Sequence, residues 1–261
     1  MRALRASWGF TLIELITVIV ILGIIAVTAT GFIVSSAELY DTTQKRALLV
    51  NSGRQALERV TRELRGALPY STTRLTSGAG ECIKFMPIVG SGHYRQPVTA
   101  GVSQAALEAT FYRVNSGPAR YVALAALAYN ELSLSGSSAL AELSSPIAAP
   151  ASGSGALTLA GNHAWLRNSA NQRFYLLGNR RAFCLLGEEL RYFNNVGVAE
   201  QTVPPSGGST LIAHHVAAEG QGFSRSLDTV TNRSLVTLSL RFSRRGESVA
   251  LQQEVALRNV P

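Results

Sequence analysis

Apolar positions along the chain change period twice. From Phe10 to Val34 (FTLIELITVIVILGIIAVTATGFIV) 25 residues carry a single charge, Glu14, and no polar stripe. A helix over this run would be about 38 Å long at about 1.5 Å per residue, enough to cross a hydrocarbon core of about 30 Å. Further on, Leu49, Gly53, Leu57, Val60, Leu64 and Leu68 recur at spacings of 4, 4, 3, 4 and 4, an apolar stripe of helical period. Opposite that stripe, Asp41 precedes Lys45 and Glu58 precedes Arg62 by four residues. Each such pair supports a helix by about 0.2–0.5 kcal/mol. Pro69 stops the pattern. One helix is therefore expected from Phe10 to about Leu68, roughly 90 Å long.

Beyond Pro69 the texture becomes β. Short runs rich in Val, Leu, Phe and Tyr alternate with Gly, Ser, Pro and Asn clusters. Strands are expected near Ile83–Ile88, Thr110–Val114, Tyr121–Ala128, Leu157–Ala160, Arg173–Leu177, Ala182–Leu186, Leu190–Phe193, Leu211–Val216, Leu235–Ser243 and Ser248–Arg258. Arg244-Arg245-Gly246-Glu247 reads as the hairpin turn of the last pair. The stretch Ser135–Gly155 (SGSSALAELSSPIAAPASGSG) reads as a long flexible surface loop, and Pro204–Gly208 as a smaller one. The expected fold class is α+β: a long membrane-spanning helix whose C-terminal half packs on an antiparallel β head.

The segment before the apolar run is short and basic, with Arg2 and Arg5 and no acid. Those arginines predict a cytoplasmic N-terminus and an exported remainder. A secretory signal peptide has a shorter apolar region, about 7–15 residues, ending at a small-x-small site. A lipoprotein signal would need a cysteine near the end of the run, where none stands. Glu14 is the anomaly, since a carboxylate at the centre of a membrane helix costs about 2.5–3.5 kcal/mol. Two readings stay open on the residues alone: Glu14 reaches water at the headgroup level, or it meets a partner charge. Gly23 and Gly31 suit close helix packing in a membrane or a segment that partly unwinds.

Composition narrows the chemistry. Hydrophobic residues make up 46% and charged residues 15%, which excludes a disordered chain. Aspartate occurs only at Asp41 and Asp228, too few for an EF-hand loop. Cys82 and Cys184 lack the close spacing of a zinc module. His214-His215 would face opposite sides of a strand and make no bidentate metal site. Gly220-Gln221-Gly222 lacks the third glycine of a dinucleotide loop, and neither a nucleophile elbow nor a P-loop occurs. Glu188-Glu189 reads as a solvated turn. No catalytic constellation, metal site or cofactor is expected, and the chain is not read as an enzyme. The net charge is +8, and residues 69–261 carry 16 Lys and Arg against 11 Asp and Glu. Arg173-Phe174-Tyr175, Arg180-Arg181 and Arg191-Tyr192-Phe193 interleave bases with aromatics, as a single-strand nucleic-acid groove does. Ordinary strand alternation gives the same pattern and is preferred, so nucleic acid is not expected as a partner.

Gly9-Phe10-Thr11-Leu12-Ile13-Glu14, after a basic leader and before an apolar helix, resembles the class III signal of type IV pilins and type II secretion pseudopilins. The resemblance implies cleavage between Gly9 and Phe10 by prepilin peptidase and N-methylation of Phe10. It also supplies the partner that Glu14 lacks, the N-terminal ammonium of Phe10 in a neighbouring subunit. Opposite charges in a low-dielectric bundle attract strongly and each is costly alone. The implied division is a leader (1–9), a membrane and filament-core helix (10–34), an amphipathic half of the stem (35–68) and a periplasmic head (69–261). The implied partners are prepilin peptidase, the inner membrane, other pilin subunits and the pilus assembly platform. The implied location is the inner membrane, and after assembly a pilus on the cell surface.

The segment Arg54–Arg65 is similar to the stems of larger minor pilins and pseudopilins, of the PilW and J types. Glu81–Phe85, Arg173–Leu176 with Phe183–Leu185, and the ending Glu254–Pro261 resemble minor pilins of the mannose-sensitive haemagglutinin (MSHA) pilus, of the MshO kind. That likeness implies a low-abundance subunit that starts assembly or caps the tip. In an exported head Cys82 and Cys184 are expected to form a disulfide, with two buried free thiols as the alternative. The contrasting function is a tip adhesin or DNA-binding module, with Ser135–Gly155 or the arginine-rich strands as its ligand surface.

Overall fold

Leu12–Arg65 forms one continuous 54-residue helix, α1, in the computed structural model, which describes residues 11–228 and 233–257. The chain divides into two compact units, Met1–Leu48 and Leu49–Pro261. In the first, every side chain from Thr11 to Asp41 is exposed, and Lys45 pairs with Asp41 as the four-residue spacing predicts.

The second unit begins with the C-terminal part of α1, whose Leu49, Gly53, Leu57, Val60 and Leu64 are all buried, as their period requires. The helix ends at Arg65, three residues before the expected Leu68. The reason is a competing pairing: Leu68 donates its N–H to Met86 O and Ile88 donates to Gly66 O, each at 2.8 Å, around a bridge between Ala67 and Pro87. Pro69 therefore follows the helix end instead of causing it.

Fourteen strands follow among the described residues. Two open sheets flank α1. The first contains β1 (Thr73–Ser77), β2 (Gly80–Phe85), β9 (Arg180–Leu186), β10 (Glu189–Val196) and β11 (Ser209–His214), in the order β1-β2-β9-β10-β11. The second contains β12 (Val216–Asp228), β13 (Arg233–Arg244) and β14 (Glu247–Ala256) in sequence order. All their pairings are antiparallel. One core joins the three layers. The helix stripe meets Ile83, Phe85, Phe183 and Leu185 from the first sheet, and Phe223, Leu238, Leu240, Phe242 and Val255 from the second. The sheets are also tied by Glu81, which accepts two bonds from Arg74 and one from the buried N–H of Gly222 at 2.7 Å. Gly222 lies where the β12–β13 register slips. A β-carbon there would meet Glu81 Oε1 at 2.2 Å and Leu185 Cδ1 at 2.5 Å, so any larger residue must push aside the carboxylate that ties the sheets.

Between β2 and β9 the chain makes an excursion whose closure the sequence pattern does not reveal, although the strands expected at Thr110–Val114, Leu157–Ala160 and Arg173–Leu177 lie within it. β3 (Ile88–Tyr94), β4 (Ser103–Val114), β5 (Ala119–Ala123), β6 (Leu140–Ile147), β7 (Ala151–Ala164) and β8 (Arg173–Leu177) close into a six-stranded barrel, ordered β3-β4-β7-β6-β5-β8. Its interior is filled by Tyr94, Leu107, Val122, Leu157, Leu159, Trp165, Phe174 and Leu176. The expected flexible loop Ser135–Gly155 is a correction: it contains β6 and the start of β7. Ser144, Ser145, Ser152 and Ser154 lie on these barrel strands, exposed, while Leu143 of β6 and Leu157 and Leu159 of β7 face the core.

The strand expected at Leu211–Val216 is two strands in different sheets. His215, at φ 56°, turns the chain from β11 into β12. The strand expected at Ile83–Ile88 is broken at Met86-Pro87, and the one at Tyr121–Ala128 ends at Ala123. Arg173–Leu177 appears as expected, and the last strand is described to Ala256.

Candidate functional site

The membrane-type surface is the N-terminal part of α1, the one described helix long and apolar enough to span a bilayer. Its most apolar 18-residue window has a mean hydropathy of 2.7, and none of it is buried within the chain. Its hydroxyls are internally satisfied. Thr17 donates to Glu14 O, Thr28 to Ile24 O and Ile25 O, and Thr30 to Ala26 O, at 2.8–3.1 Å. Back-bonding of this kind hides a polar group from lipid. A β-carbon on Gly23 or Gly31 would meet nothing within 4 Å, so both present flat patches to whatever surrounds the helix.

Glu14 stands near the start of this surface, exposed. Thr11 caps the helix: its side-chain oxygen accepts the Glu14 N–H at 3.4 Å, and its carbonyl accepts from Glu14 and Leu15. The Thr11-Leu12-Ile13-Glu14 spacing is that of a capping box, a helix-start signal in the same residues that carry the pilin resemblance. A carboxylate in the first turn also complements the helix dipole. Gly9 and Phe10, the expected cleavage and methylation positions, lie outside the described residues. An apolar rod with one carboxylate can enter lipid or pack among like helices, and it favours a cation beside Glu14.

Cys82 and Cys184 are disulfide-bonded, directly opposite each other across the β2–β9 ladder, with no exposed surface on either. They staple the two strands through which the chain leaves for the barrel and returns. Over the same face of the sheet lies a strap, residues 197–206. Lys84, buried, donates to Glu200 O at 2.5 Å, and Arg180, buried, donates to Val198 O and to Tyr129 Oη. Desolvation lowers the pKa of both cations. For Lys84 the neighbouring Arg180 adds to this and Glu200 opposes it; for Arg180 the phenol of Tyr129 opposes it. The Glu200 carboxylate organises the strap by accepting from Gly197 N, Thr202 Oγ1 and both the N–H and hydroxyl of Ser206. Burial disfavours its charge, but those donors outweigh burial and hold its pKa down to about 2. Lys84 was legible as a charge inside an apolar strand; the strap, held to the sheet by its backbone carbonyls and organised by its own Glu200, left no signal near it in sequence.

Three of the four interleaved arginines of the head are engaged in the fold. Arg181 pairs with Glu63, Arg191 with Glu189 and Ser209, and Arg180 with the strap. Phe174, Tyr192 and Phe193 are buried and present no stacking face, while Arg173 and Tyr175 are partly exposed. His214 and His215 reach toward Glu189 and Glu188, at 3.3 and 3.6 Å. Among the described residues no three His, Cys, Asp or Glu side chains gather as a metal site.

No family model, curated protein or solved structure matches this chain.

Proposed function

We propose that the chain is a type IV pilin-like subunit, a minor pilin of the MshO kind, acting in initiation, assembly or tip-capping of an MSHA-like filament. The observation that carries this reading is the partition of one helix. Its C-terminal half is buried in a β head, while its N-terminal half is apolar, uncovered and marked by Glu14. The six-residue signal Gly9–Glu14 supports the same reading. A membrane anchor alone would need the apolar half but would gain nothing from a carboxylate in it. On this reading prepilin peptidase cleaves after Gly9, and Phe10 becomes the methylated N-terminus. The N-terminus faces the cytoplasm and the head the periplasm. In the filament, Glu14 meets the Phe10 ammonium of a neighbour and sets the stacking register. The engagement of Arg180, Arg181 and Arg191 within the head favours this assembly role over a nucleic-acid groove.

Mass spectrometry of the mature N-terminus, in membrane and sheared-filament fractions, tests the proposal. Methylated Phe10, present at trace level in filaments, is expected. An intact Met1 start in every fraction would leave a permanent single-pass anchor and overturn it.

A further inference from the structure

The two flanks of α1 within the head differ in how their charges are used. On one flank Glu63 pairs with Arg181, and the Arg59 guanidinium lies 5.6 Å above the Tyr192 ring. On the other, Arg54, Glu58, Arg62 and Arg65 form no ion pair among the described residues. With Thr61 they occupy about 100° of helix surface at about 100° per residue. Together with Gln253 of β14 they line an open groove of about 770 Å3.

The floor of this groove breaks the apolar pattern twice. Along β14 one face runs Val249, Leu251, Gln253 and Val255, and the glutamine is the exposed member where its neighbours are partly or fully buried hydrophobics. Thr61 sits beside the buried stripe of α1, itself 9% exposed, and its hydroxyl has no hydrogen-bond partner. A buried hydroxyl without a partner is costly, about 1–3 kcal/mol, unless something supplies one. Local rules are broken in this way chiefly where a surface has another task.

We propose that this groove is a docking site for an acidic, extended polypeptide segment of a partner protein. Three guanidinium groups against one carboxylate give a positive lining with five donors on each arginine, suited to carboxylates. From Arg54 to Arg65 the helix rises about 16 Å, the length of about five extended residues and too long for one phosphate to bridge. Gln253 lies between, exposed, with its amide nitrogen donating to Glu254 O and its amide oxygen left to accept from the segment's backbone, and the Thr61 hydroxyl lies buried just beneath. A second copy of this chain is a poor occupant. It carries +8, and its one adjacent acid pair, Glu188-Glu189, is already engaged with His215, His214 and Arg191. The groove takes such a segment whether or not the chain assembles into filaments.

The test is fluorescence anisotropy of a labelled peptide of alternating glutamate and serine, titrated with the full chain in detergent micelles. Sodium phosphate and an oligothymidine of equal charge serve as competitors. Saturable binding is expected, weakened about tenfold or more in the Arg54→Gln/Arg62→Gln/Arg65→Gln variant and about threefold in Thr61→Val. Arg113→Gln, an exposed arginine on the barrel, should leave it unchanged. These substitutions are exposed or nearly isosteric, and thermal unfolding at or above the wild-type temperature would confirm that the variants fold. Equal binding by the wild type and the triple variant would overturn the proposal. So would tighter binding of oligothymidine, or displacement by phosphate at a concentration comparable to the peptide.

Discussion

A β-carbon built on Gly53 of α1 would lie 2.4 Å from Leu251 Cδ1 of β14 and 3.0 Å from the Phe242 ring. Helix and sheet meet here at glycine distance, in the middle of the largest core. Alanine would gain about 1 kcal/mol of helix propensity but must displace a leucine methyl and a fully buried ring, an overpacking cost of about 1–3 kcal/mol. Gly53→Ala is therefore expected to lower stability by roughly 1 kcal/mol, and Gly53→Leu by more. Denaturant midpoints of the two variants check the order; a stabilised Gly53→Leu protein would contradict this packing.

The Cys82–Cys184 bond closes a loop with a sequence separation of 102. Removing a constraint of that length costs about 2–4 kcal/mol, the chain-entropy limit being about 4.7. Cys82→Ala/Cys184→Ala should unfold at correspondingly lower denaturant. Because neither cysteine is exposed, reductant should leave the native bond intact until the head opens. Alkylation mass spectrometry with and without denaturant reads this directly; rapid labelling of the folded protein would refute it.

The helix was legible because its two signals are local: an unbroken apolar run, then a stripe at spacings of three and four that is buried at Leu49, Leu57, Val60 and Leu64. Strands with strong apolar alternation, such as Arg173–Leu177 and Leu235–Ser243, were legible for the same reason. The barrel was not. β6 and β7 are built largely of Ala, Ser and Gly, whose composition is that of a linker, and their strand character comes from ladder partners far along the chain. Of the candidate site, Glu14 and both cysteines stood out by residue type. Thr61 and Gln253 became visible only when α1 and β14 were placed side by side, because neither is unusual in its own segment.

Glu14 is the single charge on an otherwise apolar surface, and on the filament reading its value lies in a contact made only after assembly. Glu14→Gln keeps the size and the capping position but removes the charge. Membrane insertion and cleavage after Gly9 are then expected to continue near wild-type levels, while the amount in sheared filaments falls several-fold. Immunoblots of membrane and filament fractions separate the two steps. Undiminished incorporation would show that register does not depend on this carboxylate.

Glu200 provides the pH test of the strap. Its carboxyl has a folded pKa of about 2 against an ordinary 4.5, because Ser206, Gly197 and Thr202 donate to the charged form more strongly than burial penalises it. Below the folded value both states are protonated and the advantage is gone; above 4.5 both are ionised and it is complete. Folded protein therefore holds fewer protons than unfolded protein between these values, and stability falls as pH is lowered across that window. Glu200→Gln has no such proton to gain. The variant should be less stable than wild type near neutral pH, with the gap narrowing from about pH 4.5 downward and closing near pH 2. Thermal unfolding of both proteins from pH 7 to pH 2 measures the gap. A constant difference across that range would mean that the loop contacts of Glu200 do not depend on its charge, and that the two buried cations, Lys84 and Arg180, hold the strap through backbone carbonyls alone.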